Sequence, residues 1–102
     1  MPRPDTLTER EEVTRLLRDA PLPLVAARIK RARKSVGLSH DKLGELAGGI
    51  HRANLIGLEQ GKHRPRLSTL ERIAAATERD LRWFVDPEVD PSPFPADARE
   101  AA

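Results

Sequence analysis

The 102-residue sequence has no cysteine, no tyrosine and only three aromatics, Trp83, Phe84 and Phe94. Without cysteine there is neither a disulfide framework nor a thiolate metal site. With so few rings the core must be built from Leu, Ile, Val and Ala, and Leu and Ala favour helices over sheets. No segment alternates polar and apolar residues with period two, so no sheet is expected. No apolar run approaches the roughly 18 residues that span a bilayer, so no membrane partner is expected. The opening Met1-Pro2-Arg3-Pro4-Asp5 lacks the apolar stretch of a signal peptide, which points to the cytoplasm. His40, His51 and His63 have no metal-ligand spacing and no carboxylate partner, so no metal site is expected. There is no Ser/His/Asp arrangement, no phosphate-cradling glycine loop and no paired carboxylates. An enzyme, a cofactor and a small-molecule ligand are therefore not expected.

What is present is charge, unevenly spread. Charged residues make up 33% of the chain, yet the net charge is only +2. Residues 28–34 hold five cations and no acid, and residues 62–66 read Lys-His-Arg-Pro-Arg. Acids gather at the ends, as Glu9, Glu11, Glu12 and Asp19, and later as Asp86, Glu88, Asp90, Asp97 and Glu100. A basic middle between acidic ends suggests a basic face, against the alternative of solvated helix surfaces with no partner.

Helix punctuation divides the chain. Thr8 and Glu11 form a capping box, and Val13, Leu16, Leu17 and Ala20 follow at helical spacing until Pro21-Leu22-Pro23. Residues 1–21 are read as an N-terminal helical arm outside the main domain, its stripe packing on the domain's flank or across a dimer. The domain is expected over residues 22–86 with five helices. The first runs from about Leu22 to Val36 with Val25, Ile29 and Ala32 inward, and Gly37 stops it. Ser39 caps the next, with Leu43, Leu46 and Ala47 inward, ending at Gly48-Gly49. A helix from about His51 to Gln60 faces Leu55 and Leu58 inward and closes on Gly61. Ser68 and Glu71 form a second capping box before Leu70, Ile73, Ala74 and Thr77, and Asp80 caps a last helix with Leu81, Phe84 and Val85. Residues 87–102, with Pro87, Pro91, Pro93 and Pro95 among acids, read as a disordered tail.

Two short helices joined by a glycine-bearing turn, between Ser39 and Gly61, have the plan of a helix-turn-helix. Residues 24–86 also resemble the Cro/CI-type, or Xre, family of phage repressors and bacterial regulators. The resemblance is carried by Val36-Gly37-Leu38-Ser39, by Leu43-Gly44-Glu45-Leu46-Ala47, by Glu59-Gln60-Gly61-Lys62, and by Pro65-Arg66-Leu67-Ser68-Thr69-Leu70. It implies an all-α, five-helix, lambda-repressor-like domain that binds double-stranded DNA and sets the helix at residues 52–60 in the major groove. It further implies a transcriptional regulator, a repressor by preference, working as a homodimer. The competing reading is an antitoxin-like or adaptor module that retains the fold for protein interaction.

Carried over by position, the base-contacting set is Arg52, Ala53, Asn54 and Gly57. Arg52 can pair with guanine, Ala53 offers a methyl, Asn54 suits adenine and Gly57 allows only close approach. The backbone-contacting set is Ser39, His40, His51, Lys62, Arg64 and Arg66. Arg33 and Glu59 are expected to form a structural ion pair, and Trp83 is expected in the core or at a dimer interface. The sequence departs from the family at the turn, where Gly48-Gly49-Ile50 is one residue longer, and at Gly44, where alanine is common.

Overall fold

The Thr8 hydroxyl accepts the Glu11 amide at 3.1 Å and caps helix α1 (Glu9–Asp19) in the computed structural model, which describes residues 8–89. Pro23 sits in the first turn of α2 (Leu22–Ser35), where its missing N–H would have had no helical partner. Gly37, at φ +71°, turns the chain out of α2. Ser39 accepts the Lys42 amide at 3.1 Å and starts α3 (His40–Leu46). Helices α4 (Arg52–Glu59) and α5 (Leu67–Thr77) follow, then one 3-10 turn over Leu81–Phe84. Among the described residues there is no strand, and no helix is long and apolar enough to cross a membrane. The proline-rich tail from residue 90 on, with Phe94, lies outside the described residues.

One apolar core joins all these elements. Val13, Val25, Ile29, Leu43, Leu55, Leu70, Ile73 and Phe84 are fully buried in it. Trp83 lies in the same core, edge-on to Phe84 at 5.1 Å between ring centroids. Helix α1, read from sequence as an arm outside the domain, contributes Val13, Leu17 and Ala20 to this core. Arg82 ties it down further, reaching Glu12 at 2.8 Å and Asp86 at 2.9 Å. The Arg82 guanidinium, and after it the Glu88 amide, hold the Asp86 carboxyl below the usual carboxylate range.

The basic run at residues 28–34 is not one face. Arg28 is buried and donates to the carbonyls of Trp83 and Asp86, each at 2.6 Å, and of Val89 at 2.8 Å. It thereby fastens the end of the domain to α2. Arg33 also turns inward, so two of the five cations serve the interior. Two other expectations are corrected. Leu46 is 52% exposed, because Leu43 and Ala47, four residues apart, take the inward side of α3 and leave it at the rim. Ser68 does not cap α5: the helix starts at Leu67, with Arg66 at the cap and no side-chain bond there. Starting earlier brings Leu67 and Leu70 together onto the core, and that apolar contact outweighs a side-chain cap worth about 1 kcal/mol.

Candidate nucleic-acid interface

The geometry of the site begins at the turn between α3 and α4. Gly48 and Gly49 adopt φ +91° and +97°, values that favour glycine. This lets the amides of Gly49 and Ile50 both reach the Gly44 carbonyl, at 2.8 and 3.0 Å. The Ile50 carbonyl is then laid against the α-carbon of Gly44, and any Cβ there would collide with it. The Gly48-Gly49-Ile50 turn and the glycine in α3 are thus one feature, because the Ile50 carbonyl fits where it does only if α3 has no side chain at position 44.

A buried ion pair fixes α4 from the other side. Glu59 accepts from Arg33 Nε at 2.7 Å and Nη2 at 3.0 Å, while Arg33 Nη1 donates to the Leu38 carbonyl at 2.9 Å. The two side chains are only 10% and 5% exposed. This planar fork joins α2, α4 and the connection into α3. His40 Nε2 stands 3.2 Å from Glu59 Oε1, so one ring nitrogen of this imidazole is engaged with the carboxylate.

On the outer side of this frame, Arg52, Ala53 and Asn54 are exposed in the first turn of α4. Arg52 rests 3.4 Å from Asp41, with both side chains more than half exposed, a contact worth little in water and readily exchanged. His51 caps α4 by accepting the Ala53 amide on Nδ1 at 3.2 Å, which places its ring proton on Nε2 as a free donor. The Ser39 hydroxyl spends a lone pair on its cap and keeps its proton to donate. Lys62 and Arg66 are exposed on the loop after α4. Gly57 is buried, with the His63 ring lying over it.

Arg64 is exposed on the same loop, and its guanidinium is already engaged within the chain. Its Nη1 donates to the Leu17 and Ala20 carbonyls, at 2.7 and 2.5 Å, and so caps the carboxyl end of α1. An arginine there satisfies the orphan carbonyls and the negative end of the helix dipole. Arg64→Ala is therefore expected to lower folding stability by about 1–2 kcal/mol. Arg66→Ala should leave the melting temperature unchanged and reduce the salt dependence of DNA binding by about one ion. Parallel thermal melts and salt titrations of the two variants check this contrast.

Between α4, its following loop and α5 lies a cleft of about 430 Å3. His51, Asn54, His63, Arg66, Thr69 and Arg72 are among its lining residues, and no acid is. Arg72 was not singled out by sequence reasoning, and His63 was noted only as part of the basic loop at 62–66, with no role assigned. Arg72 had a faint signal, since Thr69 and Arg72 share an outward face at helical spacing on α5. For the position of His63 the hint was an isolated glycine inside a helix, which often marks a close approach.

Exposed polar residues at the start of a second short helix, held at a fixed angle to the first, define the helix-turn-helix class of DNA-binding domains. A family sequence model described as Helix-turn-helix matches residues 29–84, and the chain belongs to that family, the Xre or Cro/CI-like helix-turn-helix regulators. Comparison with curated proteins and with solved structures gave no match.

Proposed function

We propose that this protein is a sequence-specific, double-stranded-DNA-binding transcriptional regulator of the cytoplasm that reads the major groove with α4. The observation that carries it is the exposure of Arg52, Ala53 and Asn54 together at the head of α4, beside a cleft lined by cations and no acid. Ser39 and His51 stand at the amino ends of α3 and α4 with donors available for phosphates, and Lys62 and Arg66 extend the same cationic surface along the loop. Repression by a homodimer, on an inverted repeat with half-sites about 34–36 Å apart, follows from the family resemblance.

Arg52 is the side chain best suited to a bidentate pair with guanine O6 and N7. Arg52→Ala is expected to weaken binding to the preferred duplex by about 1–3 kcal/mol and to relax one base position. Binding of the variant to a panel of single-base-substituted duplexes checks this. Equal loss on every duplex would reduce Arg52 to a phosphate contact and remove the claim that α4 reads sequence.

A further inference from the structure

The recognition surface of α4 has a gap in it. Ala53, Asn54 and Gly57 lie on one helical face, at spacings of three and four, and Gly57 brings no side chain to that face. A Cβ built on Gly57 would stand 2.8 Å from Cε1 and 3.4 Å from Nδ1 of His63. The imidazole therefore occupies the space that a side chain at position 57 would fill. His63 itself is exposed, and it lines the same cleft as His51 and Asn54. Among the described residues no hydrogen bond is made by either of its ring nitrogens.

We propose that His63 is a base-reading residue, delivered from the loop to stand in for the side chain missing at Gly57. This rests on the DNA-reading function proposed above. Gly57 is the positioning residue: a helix-interior glycine is unfavourable for the helix itself, and here its bare α-carbon lets the Cε1 edge of the ring come close to α4. An imidazole presents an N–H donor in either tautomer, suited to the N7 acceptor that every purine shows in the major groove. The base pair it reads neighbours the one read by Asn54, because the two line one cleft.

The test compares wild type with His63→Ala, Gly57→Ala, the double variant and Arg52→Ala, on the same panel of single-base-substituted duplexes. His63→Ala is expected to lose about three- to tenfold in affinity for the preferred duplex, and to lose its purine preference at one position distinct from that of Arg52. Gly57→Ala should fold at least as well as wild type, because the group it displaces is the end of a side chain and not backbone. It should relax the same position as His63→Ala, and the double variant should equal His63→Ala. An unchanged preference in His63→Ala, a uniform loss over all duplexes, or additive effects in the double variant would each overturn the inference. If Arg52→Ala relaxes its own position while His63→Ala does not, His63 alone is refuted and groove reading by α4 stands. If the wild type shows no preference for any duplex, both fall together.

Discussion

Replacing Glu59 with alanine is expected to cost the fold about 3–5 kcal/mol, enough to unfold much of a small domain at physiological temperature. The reason is what is left behind. Arg33 is buried, and two of its three hydrogen bonds end on Glu59. Removing the carboxylate leaves a desolvated guanidinium with only the Leu38 carbonyl, and His40 loses its partner as well. The loss measures an uncompensated charge rather than the net value of the pair. Replacing Arg33 with Met and Glu59 with Leu together should accordingly recover most of the stability. Denaturant unfolding of the wild type and the two variants checks this; a loss below about 1 kcal/mol in Glu59→Ala would show that Arg33 finds other acceptors.

Gly44→Ala is expected to be the next most damaging change, although alanine favours a helix by about 1 kcal/mol over glycine. Overpacking generally costs about 1–3 kcal/mol, and here the colliding group is the Ile50 carbonyl, backbone that cannot rotate away. Relieving the clash means moving the turn, and with it the two amides bonded to the Gly44 carbonyl and the His51 cap of α4. The variant should therefore show a lower melting temperature and, at temperatures where it is folded, weaker DNA binding. Deleting Gly49 in the Gly44→Ala background restores the shorter turn and should recover part of both. A Gly44→Ala protein that melts and binds like wild type would contradict the coupling between turn length and helix crossing.

These two sites show where sequence reading succeeds and where it stops. The caps at Thr8 and Ser39, the glycine turns at Gly37 and Gly61, and the inward stripes of α2, α4 and α5 are local, so their spacing alone displays them. The fate of each cation is not local. Nothing in the sequence shows that Arg28 and Arg64 end on backbone carbonyls brought in by the fold, the Arg64 partners lying 44 and 47 residues away, whereas the pairing of Arg33 with Glu59 was expected from the family resemblance. The same holds for α1: its capping box was legible, but its membership of the core depends on what Val13 and Leu17 meet. At the proposed interface, the residues on the head of α4 followed from position along the helix. His63 did not, because its place is set by an atom that Gly57 lacks.

The claim at the centre of this account is that the head of α4 and the loop after it form a duplex-DNA surface. Equilibrium binding of the full chain to a duplex selected from a random pool, followed from about 50 to 200 mM salt, tests it most directly. The predicted result is enrichment of a definite sequence, with log affinity falling linearly against log salt and a slope that shrinks by about one in Arg66→Ala. A pool that returns unenriched, with no salt-dependent binding to any duplex, would contradict it.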